Sequence, residues 1–228
     1  ADKLIQNHTL TKEEYMTLLQ EWTNPELAEK LRKEAETLRK KYYGDKIFVR
    51  GLIEFTNICK NNCYYCGIRR DNCNVQRYRL TKEEILECCD YGYELGFRTF
   101  VLQGGEDGYF TDERVVDLVS SIKKNHPDCA ITLSIGEKSY DSYKAFREAG
   151  ADRYLLRHET ANETHYNTLH PESMQLGTRL QCLKDLKTLG YQTGCGIMVG
   201  TPGQTPKVLA ADMKFMEEFL PEMIGVGP

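Results

Sequence analysis

Nothing in this sequence is long and apolar enough to span a bilayer, and no signal-peptide pattern opens it,. It has no basic excess: 30 Lys and Arg stand against 34 Asp and Glu, a formal net charge of -4. That excludes the electrostatic footprint of a nucleic-acid binder. Low-complexity segments are absent, and no dinucleotide-type GxGxxG follows the first predicted strand,. The nine cysteines are odd in number and too scattered for a secreted disulfide scaffold,. These absences leave a cytoplasmic protein with no membrane and no nucleic-acid partner as the expectation. At 228 residues the chain can bury a sizeable core,.

What the sequence does have is Cys59-Lys60-Asn61-Asn62-Cys63-Tyr64-Tyr65-Cys66-Gly67, directly after an apolar run, Ile47 to Phe55. A short turn at CxxxCxxC spacing can aim three thiolates at one point. Thiolates suit iron–sulfur clusters or zinc. A cubane 4Fe–4S cluster held by three thiolates keeps one iron open for a chelating ligand. A structural zinc site instead needs four ligands, and Cys73 is the nearest candidate for the fourth. Cys88, Cys89, Cys129, Cys182 and Cys195 fall within helix or strand patterns and read as small core residues,.

The rest of the chain frames this loop. Residues 1–45 read as a helical extension. Thr11-Lys12-Glu13-Glu14 is a capping box opening a helix with Leu18, Leu19 and Trp22 on one face, and a second helix runs over 25–43,. Residues 46–228 read as repeating β/α units. Strands are expected at 47–55, 99–103, 130–135, 152–156, 191–199 and 223–226. Helices between them start at the capping box Thr81–Glu84 and near Thr111, Ser139, Asn162, Gly177 and Thr205. Gly96, Gly150 and Gly190 stop three helices just before a strand,. Alternation of this kind gives a parallel sheet, and without a dinucleotide fingerprint a TIM-type (β/α) barrel is expected. A whole barrel takes about 250 residues; this chain shows six of eight β/α units, either a partial barrel or the leading part of a longer protein.

In such a barrel chemistry gathers where strands end. After strand two, Gln103-Gly104-Gly105-Glu106 offers glycines for close backbone approach and an acceptor for an ammonium group, Glu106 or Gln103,. On strand three Thr132 and Ser134 alternate with Ile131, Leu133 and Ile135, so two hydroxyls face inward,. After strand four, Arg157 and Glu159 share a side, able to hold a carboxylate and ribose hydroxyls or an amine, or simply each other. His158 points the other way as a packing histidine; His165 and His170 read as surface residues. Strand five carries Gly194 and Gly196, leaving space for a flat ligand such as adenine, and Arg179 on the preceding helix could reach the same mouth,.

The cysteine motif with Tyr65 before its last cysteine resembles the signature of radical S-adenosylmethionine (SAM) enzymes. Arg50-Gly51-Leu52-Ile53-Glu54-Phe55, Arg69-Arg70-Asp71-Asn72, Arg77-Tyr78-Arg79, the run Gly150–Asn162 and the run Met198–Thr205 are similar to the biotin-synthase-like branch, and within it to the HydE family of FeFe-hydrogenase maturases. The resemblance runs over essentially the whole chain. It implies that Cys59, Cys63 and Cys66 bind a 4Fe–4S cluster. It also implies that Tyr65, Gln103, Gly104, Gly105, Glu106, Arg157, Glu159, Arg179 and Met198 contact SAM, and that Thr132 and Ser134 line the substrate space. The implied work is assembly of the hydrogenase diiron subcluster on an organometallic iron–cysteine substrate, with HydG and HydF as functional partners and a ferredoxin or flavodoxin as electron donor. Two departures stand out: Gly104 replaces a frequent Ser, and the chain stops at Pro228, before the family's last strands and second cluster site. An amino-acid mutase resembling methylornithine synthase, a biotin-synthase-like enzyme and a zinc-stabilised binding module are the alternatives.

Overall fold

The computed structural model describes all 228 residues. Six parallel strands form one sheet in sequence order, each paired with the next: β1 (Gly51–Thr56), β2 (Thr99–Gly104), β3 (Ala130–Ser134), β4 (Arg153–Leu155), β5 (Gln192–Met198) and β6 (Met223–Gly227). Helices connect them: α4 (Lys82–Glu94), α5 (Asp112–Asn125), α6 (Tyr140–Glu148), the pair α7 (Glu163–Leu169) and α8 (Leu176–Thr188), and α9 (Pro206–Phe219). This is the α/β arrangement the β/α repeat implies.

The period-two alternation decides which side of the sheet is dry. Ile53 and Phe55, Phe100 and Leu102, Ile131 and Leu133, Tyr154, Cys195 and Ile197 all turn outward into the helix layer and are buried there. α5 meets them with Val115, Leu118, Val119 and Ile122. The alternate positions, Glu54, Gln103, Ser134 and Arg157, point to the inner face. Thr81 and Glu84 form the expected capping box at the start of α4, and Gly96, Gly150 and Gly190 have φ of 94°, 115° and 76° where α4, α6 and α8 stop. L-residues avoid that region, so glycine lets the chain turn from helix to strand at little cost.

Several expectations fail locally. Strand one starts at Gly51 rather than Ile47, and Ile47, Phe48 and Val49 are exposed outside any ladder. Apolar side chains alone cannot extend a strand without a neighbour to pair with. Cys88 is exposed while Cys89 is buried, because only one of two successive helical positions can face the sheet,. At the N-terminus, α1 (Asp2–Asn7) precedes α2 (Lys12–Gln20) and α3 (Pro25–Tyr43). α2 begins with the predicted capping box and lies on α9, with Leu10 and Tyr15 against Ala210. Trp22 lies beyond α2 and is exposed.

Candidate functional site

The cysteine loop leaves the C-terminal end of β1 and is fixed by protein bonds at several points. Lys60 N–H donates to Glu106 O at 3.0 Å, Tyr64 N–H to Leu169 O at 2.9 Å, and Arg70 N–H to Asn61 O at 2.8 Å. The Arg77 guanidinium donates to four carbonyls of the loop, those of Asn57, Ile68, Arg69 and Asn72, at 2.5–3.1 Å. A planar five-donor fork suits this task. Beside it, Arg79 forms a two-pronged ion pair with buried Asp107 at 2.7 and 2.9 Å, and Asp107 also accepts from Thr56 Oγ1 at 2.8 Å. Arg77 entered the sequence reading only as part of a string that carries the resemblance; its grip on four carbonyls is visible only in the fold.

Glycines 104 and 105 leave room for the cysteine loop itself. A Cβ on Gly105 would lie 2.3 Å from Ile58 O and 2.7 Å from Cys59 Cβ, and one on Gly104 would lie 2.7 Å from Thr56 Cγ2. Bare backbone at the end of β2 is what lets the first cysteine seat there. Glu106 N–H then donates to Cys59 Sγ at 3.4 Å. The three thiols lie within one another's electrostatic field. Burial pushes the Cys63 thiol up to about 11 and raises Cys66 as well; a bound cationic centre would reverse this, since a coordinating thiol is deprotonated outright.

No three His, Cys, Asp or Glu side chains stand close enough to hold a single metal ion. Cys73 is exposed and turns its Sγ to Asn74 Oδ1 at 3.9 Å, so it does not close the triad into a tetrahedral site. Three soft donors within one another's electrostatic field fit a polynuclear iron–sulfur cluster, whose thiolates sit on separate irons,.

Beside the loop opens a cavity of about 400 Å³, a size that suits a small-molecule site,. Tyr65 and Cys66 form one wall; Gln103, Gly104 and Ser134 form another at the ends of β2 and β3. Arg157, Glu159 and Arg179 close the far side. Arg157 Nη2 lies 3.1 Å from Glu159 Oε2, and Arg179 Nη1 donates to Arg157 O at 2.8 Å while its Nε pairs with Glu137. Burial pushes the Glu159 carboxyl up, against the opposing pull of Arg157 and Arg179.

Gly105, Glu106, Met198 and Thr132 do not line this cavity. Glu106 is buried, accepts from Glu137 N–H at 3.0 Å and pairs with Lys60 at 3.1 Å. Met198 accepts from the Gln204 amide through its backbone oxygen at 2.7 Å. Thr132 is buried below Ser134 with no partner for its hydroxyl. The glycines of β5 serve the sheet as well: a Cβ on Gly196 would lie 2.0 Å from Gly225 O, and one on Gly194 2.6 Å from Leu155 Cδ1. They let neighbouring strands close in. His165 and His170 are not surface residues. His165 Nε2 meets Thr201 Oγ1 at 2.8 Å, and His170 stacks on Tyr166 and meets the Tyr65 hydroxyl at 3.3 Å. The loop after β5 brings Thr201 to His165, and the cysteine loop brings Tyr65 to His170, which no local pattern announces.

The family model for the radical SAM superfamily matches residues 53–216. The chain belongs to the radical SAM superfamily. Members use a 4Fe–4S cluster and SAM. Among curated proteins, the chain is 49% identical over 200 residues to the [FeFe] hydrogenase maturase subunit HydE of Thermotoga maritima, covering 88% of this chain and 57% of that one. It is 31% identical to the 3-methylornithine synthase of Methanosarcina acetivorans, covering 99% of this chain and 64% of the relative. The crystal structure of methylornithine synthase superposes with a TM-score of 0.89 at 30% identity, over 99% of this chain and 66% of that one. The maturase HydG, at 24% identity, shares the fold with a TM-score of 0.81 over 99% of this chain and 52% of its own. The chain thus spans less than two thirds of the length of these curated relatives.

Proposed function

We propose that this chain is the SAM-cleaving core of a HydE-type FeFe-hydrogenase maturase, with residues 1–45 as a helical extension and 46–228 as the barrel core. The observation that carries the reading is the union of a three-thiol loop and a charged cavity at the C-terminal ends of the strands of a parallel sheet. The 49% identity to HydE selects the maturase among radical SAM chemistries. Cys59, Cys63 and Cys66 would hold the cluster. Bound there and reduced, such a cluster would supply the single electron for reductive cleavage of the SAM sulfonium.

The residues here bind and orient. Arg157 and Arg179 present guanidinium groups to a carboxylate. Glu159 offers acceptors to ribose hydroxyls or an amine. Tyr65 forms an aromatic wall against the loop. Ser134 faces the inner space where a substrate would lie, with Thr132 beneath it. The substrate we propose is an organometallic iron–cysteine species, in a cytoplasmic pathway shared with HydG and HydF, with a ferredoxin or flavodoxin as reductant.

Electron paramagnetic resonance of the reduced, anaerobically reconstituted protein tests this. Adding SAM should change the cluster signal, and dithionite should yield methionine and 5′-deoxyadenosine. A colourless protein with stoichiometric zinc would sink the proposal. The TM-score of 0.89 to methylornithine synthase favours an amino-acid mutase as the second reading. Conversion of lysine to a rearranged product would replace the first reading by the second.

A further inference from the structure

Three non-glycine residues have positive φ: His8, Leu220 and Glu159. His8 and Leu220 are left-handed caps at the ends of α1 and α9. Glu159, at 65°, ends no helix and lies at the cavity. Thr160 N–H donates to His158 O at 2.8 Å, closing a three-residue turn over it. A turn of this kind with positive φ is a rare, strained γ-turn. Such strain persists only where the surroundings hold it.

Two neighbours hold it. β5 pairs with Glu159 on both sides: Glu159 N–H donates to Gly196 O at 3.0 Å, and Met198 N–H donates to Glu159 O at 3.1 Å. From the outer layer, α9 contributes Asp212, which is fully buried. One carboxylate oxygen of Asp212 accepts from Thr160 Oγ1 at 2.9 Å and also from Ala161 N–H. Its second oxygen has no partner. A half-satisfied buried carboxylate is costly. Docking α9 on the sheet does not require one; an apolar side chain would do that at lower cost. What the carboxylate does, and an apolar group could not, is fix the two donors that directly follow Glu159.

We propose that Asp212 is the positioning residue for Glu159: from α9 it locks the strained turn and so sets the Arg157–Glu159 pair at the cavity. The inference rests on the proposed reading of the cavity only where SAM binding is the readout. The backbone conformation of Glu159 is read without any cofactor.

The test uses Asp212→Ala, which removes the acceptor, and Asp212→Asn, which keeps an oxygen for both donors. In crystal structures of the cofactor-free proteins, Glu159 should leave positive φ in Asp212→Ala and keep it in Asp212→Asn. Retention of positive φ in the alanine variant overturns the proposal. With reconstituted protein, SAM affinity, followed by titrating the signal of the reduced cluster, should fall about tenfold in Asp212→Ala and recover in Asp212→Asn. In a Glu159→Gly background, which has no carboxylate to aim, Asp212→Ala should change affinity by less than about twofold. An equal loss in both backgrounds means a general effect of packing and overturns the proposal. If the unaltered protein gives no SAM response at all, the functional reading fails, while the crystallographic arm still decides the role of Asp212.

Discussion

Replacing Gly105 with alanine tests whether the end of β2 sets the seat of the first cysteine. The added methyl would meet Ile58 O at 2.3 Å and Cys59 Cβ at 2.7 Å. The first neighbour is backbone, so no rotamer change relieves it. Either the loop or the strand must give by roughly 0.7 Å for the closest contact to reach 3.0 Å,. Overpacking of this kind costs about 1–3 kcal/mol. Here it falls on a proposed cluster ligand, because Cys59 moves with Ile58. The expected result is a fold that survives, with an unfolding free energy from urea titration lowered by that amount, and a sharp loss of iron and sulfide after anaerobic reconstitution. Gly67→Ala is the control in the same loop, since nothing lies within 4 Å of its added methyl. Gly67→Ala should load like the unaltered protein. Should Gly105→Ala load a full cluster with an unchanged midpoint, the steric reasoning is refuted.

Three further outcomes follow from the same geometry. Burial holds the His158 pKa down at about 3, so its contribution to stability is complete above about 6.5 and drains away as the pH falls toward 3, roughly 3 kcal/mol by pH 4,. Both its ring nitrogens lack partners, so His158→Leu should be near neutral at pH 7 and should shift the acid-unfolding midpoint downward,. Asp212, raised by burial to about 6, acts with the opposite sign, and comparing the two proteins across pH isolates the histidine. Arg79→Ala strands buried Asp107 with only neutral donors and should lower stability in denaturant titrations, by less than loss of one partner of a fully buried pair because Arg79 is half-exposed,. Arg77→Ala should spare global stability yet speed cluster loss to a chelator, and Arg77→Lys should not rescue it, because an ammonium cannot reach four carbonyls at once,.

The signals that were legible in the sequence were local ones. Thr81 and Glu84 announce a helix because the capping bonds are made within four residues,. Gly96, Gly150 and Gly190 mark helix ends because positive φ is a property of one residue. The cysteine spacing is local too, and with it the position of the candidate cluster loop was readable. What the sequence hid depends on distant chain. Nothing near His170 says that Tyr65 of the cysteine loop will come to lie against it. The glycines of β5 read as open space until Gly225 of the next strand fills it. Ile47, Phe48 and Val49 have strand-like side chains but no ladder partner. Asp212 reads as an ordinary helical carboxylate, and only the fold brings it to Thr160 and Ala161.

The bonds that shape the cysteine loop are all protein to protein: a guanidinium gripping four carbonyls, and backbone ties to Glu106 and Leu169. The loop's contour therefore does not hang on the identity of its three thiols, and replacing all three with serine should leave the turn in place.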